Sequence, residues 1–272
     1  MATVDLTVRG GGIFGLSCAW EAARRGARVR LVEAARVGAG ASGGLVGALA
    51  PHAPEGWNAI KAFQLHSLLM AEGWWAGVAA ASGLPTGYAR TGRLQPLADT
   101  AAVAQARARA DAAATLWQGQ AAWQVVAATG AVWEPASAMG LMVHDTLSAR
   151  LHPRMACAAL AAAIRARGGT VVEGDGDDGP GPVIWATGAA GLAALSADLG
   201  RAVGAPVKGQ AATLAFDAGA GAPQIYAGGL HIVPHADGTV AVGSTSERDF
   251  DDPAATDAQL DAVIAAARAA CP

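Results

Sequence analysis

Lysine is nearly missing from this 272-residue chain: only Lys61 and Lys208 occur, and the other basic residues are arginines. Charged residues make up 15% and the net charge is −3, with no basic block. Capture of a nucleic-acid backbone needs a basic surface, so that class is excluded. Cysteine is also scarce. Cys18, Cys157 and Cys271 are odd in number and far apart, with no Cys-x-x-Cys or Cys/His ligand spacing. A disulfide framework and a structural zinc or other metal site are therefore not expected, and a reduced, cytoplasmic setting is. The uncharged stretch 112–133 holds three glutamines, and 179–197 carries Gly and Pro. Neither is a continuous apolar run of about twenty residues, so no integral membrane segment is expected. The N-terminus lacks a basic region followed by a long apolar one, so no signal peptide is expected.

What is present is apolar and mostly small. Hydrophobic residues make up 53%, and there are 36 glycines. That balance excludes a disordered polyelectrolyte and is enough for one large domain or two modest ones. The eight tryptophans read as packing residues of an alanine-rich core.

The chain opens as strand, turn and helix. Val4, Leu6 and Val8 alternate, a glycine turn follows, and Leu16, Ala19, Trp20 and Ala23 recur at helical spacing up to Gly26. A second strand over 29–32 ends at Glu33, completing a βαβ unit. An uncharged Gly/Ala/Ser-rich loop precedes a long helix expected over 57–80. Strand-like residues at 91–97 lead to Asp99, whose carboxylate suits an N-cap for an Ala-rich helix reaching about 117. An extended segment at 142–151 precedes a helix at 154–167, opened by Pro153 and closed by Gly168-Gly169. Short strands are expected at 170–173 and 183–186, separated by a polar linker, GDGDDGPGP. Asp175, Asp177 and Asp178 lack a bidentate Glu at the spacing a calcium loop requires, so they read as a solvated linker. Alternating segments at 207–216, 229–233 and 239–243, with a hairpin turn at His235-Ala236-Asp237-Gly238, read as antiparallel strands. Thr256 is the expected cap of a last helix ending near 270.

Gly10-x-Gly12-x-x-Gly15 falls between a predicted strand and a predicted helix. The first glycine permits the tight turn, the second lets a pyrophosphate approach the backbone, and the third lets helix and strand pack closely. The helix N-terminus offers unpaired N–H groups and a positive dipole end to phosphates. Glu33 stands where a carboxylate would accept ribose hydroxyls. With Arg36 three residues on, this favours a free 2′-hydroxyl over a 2′-phosphate, without separating NAD from FAD.

Three further segments resemble the FAD-dependent oxidoreductases of the D-amino-acid oxidase, glycine oxidase and sarcosine oxidase superfamily. They are Gly40-Ala41-Ser42-Gly43-Gly44-Leu45 leading to Ala50-Pro51-His52, then Val183-Ile184-Trp185-Ala186-Thr187-Gly188, and finally Lys208-Gly209-Gln210 with Leu230-His231-Ile232-Val233-Pro234 and Gly243-Ser244-Thr245. The likeness extends over most of the chain. It implies an α/β fold with a Rossmann-like FAD-binding domain (1–75 and 152–204) and a second, mostly antiparallel β substrate domain (76–151 and 205–252), then a terminal helix at 253–272. The implied cofactor residues are Gly10, Gly12, Ile13, Phe14, Gly15, Glu33, Ala41, Ser42, Gly43, Gly44, Leu45, Val172, Ala186, Thr187 and Gly188. Small residues suit the loop because backbone amides must reach the cofactor directly.

The implied activity is oxidation of the C–N bond of a small amine or amino acid by FAD, with O2 or another acceptor taking the electrons. Candidate catalytic residues are His52 beside the flavin-side loop, His231 where relatives often carry a tyrosine, and Arg93 as a carboxylate partner. As bland alternatives, His52 is a satisfied loop residue and Arg93 lies on a solvated strand face. Two departures from the family stand out. The linker at 174–182 replaces additional strands. The chain also stops at Cys271-Pro272, before the family's Gly-x-Arg-Pro segment, so a chain truncated relative to the family and poor in catalysis alone is expected. Two rival readings are a non-catalytic FAD-binding module and an NAD-dependent Rossmann dehydrogenase. A tRNA-modifying amine oxidase is disfavoured by the missing basic stripe.

Overall fold

The computed structural model describes residues 4–272. In chain order the elements are β1 (Leu6–Arg9), α1 (Ile13–Arg24), β2 (Val29–Glu33), β3 (Ala48–Leu49), α2 (Ala59–Ser82), β4 (Arg93–Pro96), α3 (Thr100–Leu116), β5 (Trp123–Ala127), β6 (Leu141–Asp145), β7 (Ala149–Arg150), α4 (Pro153–Ala166), β8 (Thr170–Glu173), β9 (Val183–Trp185), α5 (Gly188–Leu199), β10 (Ala211–Ala215), β11 (Gln224–Ala227), β12 (Leu230–Pro234), β13 (Thr239–Gly243) and α6 (Ala258–Ala270). Among the described residues no helix is long and apolar enough to cross a membrane.

The chain forms two compact units. The first comprises the described residues up to Gly44, with Trp75–Thr86 and Pro153–Val207; the second comprises Leu45–Trp74, Gly87–His152 and Lys208–Pro272.

The first unit is built on a parallel four-stranded sheet in the order β8-β2-β1-β9. Val8, Val29, Leu31 and Val32 are buried in it, as strands covered on both faces require. Helix α1 buries Leu16, Ala19, Trp20 and Ala23 at the expected spacing. Helix α4 buries seven residues, four of them alanine, so it approaches α1 closely. The acidic linker is not merely solvated. Arg9 on β1 pairs with Asp178 at 2.5 Å and Arg30 on β2 with Asp177, because both guanidiniums project from the strands the linker runs beside. No helix is expected from the sequence pattern at 188–199, yet α5 forms there, ended by Gly200 in the left-handed region (φ 61°).

The second unit is built on a seven-stranded sheet, β10-β13-β12-β11-β4-β6-β5, antiparallel except for β11 beside β4. The alternation of side chains separates its two faces. Leu94, Ile225, Ile232 and Val242 form one core with Val263 and Ala267 of α6. On the other face Val143 and Trp123 join Leu97, Val103, Ala106, Ala113 and Trp117 in a second core. Trp117 and Trp123 meet edge to face at 6.2 Å. The α/β fold and the mostly antiparallel second sheet are as the sequence leads one to expect.

Asp99 does cap α3: its carboxylate accepts the Ala102 N–H at 2.7 Å. Asp99→Ala is expected to cost about 0.5–2 kcal/mol, read as a lowered denaturant midpoint with unchanged m-value. At α6 the cap is Asp257, not Thr256, because its carboxylate accepts the Gln259 N–H. The strand expected over 207–216 is shorter: β10 begins at Ala211, and Lys208 instead bridges Glu247.

Candidate functional site

The carboxyl ends of β1, β2 and β9 converge in the first unit. Gly10 adopts φ 109°, and a Cβ there would lie 2.3 Å from the Ala186 carbonyl oxygen. A Cβ on Gly15 would lie 1.9 Å from the Gly10 oxygen, which is the close helix–strand packing expected of a third motif glycine. Gly12 caps α1 without any side-chain hydrogen bond. Ser42 reaches the same terminus, its Oγ accepting the Ile13 N–H at 2.9 Å. Ser42 lies in a short 3-10 turn, Ala41–Gly43, where a Cβ on Gly43 would come within 2.1 Å of the Gly38 oxygen.

Glu33 ends β2 over Gly11. Its carboxylate accepts the Gly11 N–H at 2.5 Å and the Ala35 N–H at 3.0 Å. Val172 lies beside it on β8, in register with Val32. Ala186 donates to the Arg9 carbonyl, Thr187 precedes α5 and Gly188 takes φ 59°. Phe14 is 80% exposed in the first turn of α1. Gly10, Gly12, Ile13, Gly15, Glu33, Ser42 and Ala186 are thus brought together from segments up to 176 residues apart. Ligand sites in open α/β sheets lie at such strand ends.

The candidate catalytic residues all belong to the second unit. His52 is exposed, and its Nδ1 meets Gln64 Oε1 at 2.5 Å. Arg93 does not lie on a solvated face. It is buried, and its Nε donates to the fully buried Asp145 at 3.0 Å. The cause is register: Arg93 stands directly opposite Asp145 on β6. Asp145 also accepts the Ser148 N–H at 2.7 Å. The Arg93 guanidinium lies 5.7 Å from the Tyr226 ring centroid, and Tyr226 packs on His231 at 4.8 Å. Asp145, Arg93, Tyr226 and His231 therefore form a continuous polar strip on one face of the sheet. Tyr226 was not evident from the sequence; alternation from Arg93 across the paired strands finds it only once the register is known.

Burial and the Arg93 charge hold His231 below the usual imidazole range, and burial does the same to His235. Below about pH 6.5 the unfolded chain then binds more protons than the folded one. Stability is therefore full above that pH and falls as pH drops toward the folded-state values. The thermal midpoint is expected to fall between about pH 7.5 and 5.5, with a shallower slope for His231→Phe. Parallel slopes in the two proteins would contradict this assignment.

A parallel sheet with a glycine-lined helix N-terminus and an acid at the end of the second strand is the arrangement of a dinucleotide-binding α/β protein. The family is settled by comparison: residues 5–272 match the model of the DAO family, FAD dependent oxidoreductase, and the chain belongs to that family. No match is found among curated protein sequences. The fold is shared with glycine oxidase from Geobacillus kaustophilus (20% identity, TM-score 0.79, 100% of this chain and 79% of that one). It is also shared with iminodiacetate oxidase from Chelativorans sp. BNC1 (21%, 0.75, 98% and 79%). A third similar structure is L-proline dehydrogenase from P. horikoshii (18%, 0.69, 92% and 72%).

FAD is the cofactor of the family, and the residues present fit it. The cradle at Gly10, Gly15 and Gly43 has no room for Cβ atoms, and the N-cap of α1 is a glycine that keeps the helix terminus open to a phosphate.

Proposed function

We propose that this chain uses FAD to oxidise the C–N bond of a small amine or amino acid. The observation that carries the reading is the family match together with the intact strand-end cradle. In it, the backbone at Gly12, the Ile13–Ser42 corner and the Ala41–Gly43 turn line the pyrophosphate, Glu33 holds the adenosine ribose, and Ser42 to Leu45 pass the flavin half. Val172, Ala186, Thr187, Gly188 and Phe14 complete the cofactor contacts. FAD supplies a hydride-accepting flavin when bound.

The reading assigns 1–75 and 152–204 to the cofactor domain and 76–151 and 205–252 to the substrate domain. The named similar proteins act on glycine, iminodiacetate and proline, each an amine beside a carboxylate. The strip Arg93–Tyr226–His231 suits such a molecule. A guanidinium has five N–H donors, and Asp145 engages Nε. His231, kept neutral by burial, offers hydrogen bonding without opposing an ammonium group. Positioning is then the main task of these residues. His52, held by Gln64, follows in sequence the loop read as flavin-side. The free cysteines Cys18, Cys157 and Cys271 support a reducing, cytoplasmic location. O2 or another acceptor takes the electrons.

The test is anaerobic mixing of FAD-reconstituted protein with glycine, sarcosine, iminodiacetate, L-proline and a set of D-amino acids. Bleaching of the visible flavin band by one of them is expected. If none bleaches it while dithionite does, C–N oxidation of small amino acids is wrong.

A further inference from the structure

Gln224 is completely buried, which is unusual for a glutamine unless its amide has work to do. It stands on β11, and its Nε2 donates to the Leu49 carbonyl at 3.2 Å and to the Ala149 carbonyl at 2.9 Å. Those two residues face each other in the ladder of β3 and β7. One NH2 group thus fastens both strands of that ladder. Its own Oε1 is buried without a partner, a cost a glutamine accepts only where the two donated bonds outweigh it.

His235, only 4% exposed, works on the same segment. Its Nε2 lies 3.1 Å from the Leu45 carbonyl. A carbonyl only accepts, so Nε2 carries the proton and Nδ1, buried without a partner, is the bare nitrogen. The backbone adds two more ties: Leu151 N–H donates to the Gly47 carbonyl, and Gly243 has so little space that a Cβ would lie 2.9 Å from a Val46 methyl. Residues 45–49 are therefore held at both ends by buried side chains, one from β11 and one just after β12, more than 170 positions away in sequence.

We propose that Gln224 and His235 are positioning residues that fix the backbone of 45–49 and so pre-order the flavin-side loop for FAD. The idea rests on the reading of Ser42 to Leu45 as cofactor loop. The physical reason is entropic: a segment ordered before binding does not lose that freedom on binding.

The test uses the full chain as apoprotein and with FAD. Gln224→Met keeps the length and removes the NH2 group. His235→Leu removes the donor, and His235→Gln restores an N–H at nearly the same reach. Amide hydrogen exchange at 45–50 of the apoprotein and the FAD dissociation constant are measured for each. Gln224→Met and His235→Leu are expected to exchange at least tenfold faster at 45–50, with exchange in α1 and α4 unchanged, and to bind FAD about 10–100-fold more weakly. His235→Gln should recover most of both. Should Gln224→Met fail to fold, the His235 pair decides. Unchanged exchange at 45–50 in His235→Leu overturns the clamp. Faster exchange with unaltered FAD affinity overturns the link to the cofactor. Wild-type protein that takes up no FAD, while the exchange differences persist, refutes the cofactor-loop reading and with it the proposal, but leaves the clamp itself measured.

Discussion

Gly12→Val is expected to give folded but colourless protein. A Cβ at this position would meet only Ser42 Oγ at 3.2 Å and Ser42 Cβ at 3.9 Å, and the backbone has an ordinary φ of −82°. The polypeptide can therefore accept a side chain here. What valine takes away is the open approach to the N–H groups at the start of α1, which a pyrophosphate needs at hydrogen-bond distance. A loss of FAD affinity of 100-fold or more, about 2.7 kcal/mol, is expected with an apoprotein melting within a few degrees of wild type. Gly15→Val is the contrast. Its Cβ would stand 1.9 Å from the Gly10 oxygen, so the turn itself must move and folding should suffer along with flavin binding. Full flavin occupancy in Gly12→Val would remove the pyrophosphate from this turn.

The second large effect concerns Arg93 and Asp145. Arg93→Met leaves a carboxylate with no exposed surface and no cation beside it. Breaking a buried pair in this way typically costs about 3–5 kcal/mol, a large part of the roughly 5–15 kcal/mol that holds a domain folded. The double variant Arg93→Met, Asp145→Asn should recover more than half of the loss, since asparagine removes the charge and its Oδ1 can still accept the Ser148 N–H. Urea unfolding of the two variants checks this; a double variant as unstable as the single one would mean that the pair is not the source of the cost. The same double variant separates structure from chemistry. If it is stable and binds FAD, yet no longer bleaches with an amino acid that reduces wild type, Arg93 serves the substrate as well as Asp145.

The first sheet was legible because its signals are local. Glycine spacing, the apolar stripe of α1 and the position of Glu33 all lie within one βαβ unit. Asp99 could be read as a cap for the same reason: donor and acceptor are three residues apart. The second unit resists such reading. Its strands β5 and β11 are five and four residues long, too short for alternation to declare itself. Arg93 looks like a surface arginine until register sets Asp145, 52 positions later, directly opposite it. Gln224 carries no sequence sign of burial at all, because its partners are backbone carbonyls contributed by β3 and β7. The glycine turn and the acid at the strand ends were therefore legible in the sequence, whereas the groups that hold residues 45–49 were not.

The outer strand of the parallel sheet will influence how the purified protein behaves in the tube. Strand β9 is three residues long, lies at the sheet edge, and exposes Ile184 by 37% and Trp185 by 66%. Helix α5, next in the chain, has no buried residue and leaves Leu192, Leu195 and Leu199 open to solvent. Native edges are commonly defended by charge, proline or a covering element. Here the nearest cation, Arg9, leans over the Trp185 ring at 5.7 Å but is itself paired with Asp178. Raising salt weakens that partly exposed ion pair while strengthening apolar contact between molecules. Concentrated stocks should thus keep better in dilute buffer than in ammonium sulfate, and light scattering against salt would register the difference as turbidity long before any change in fold.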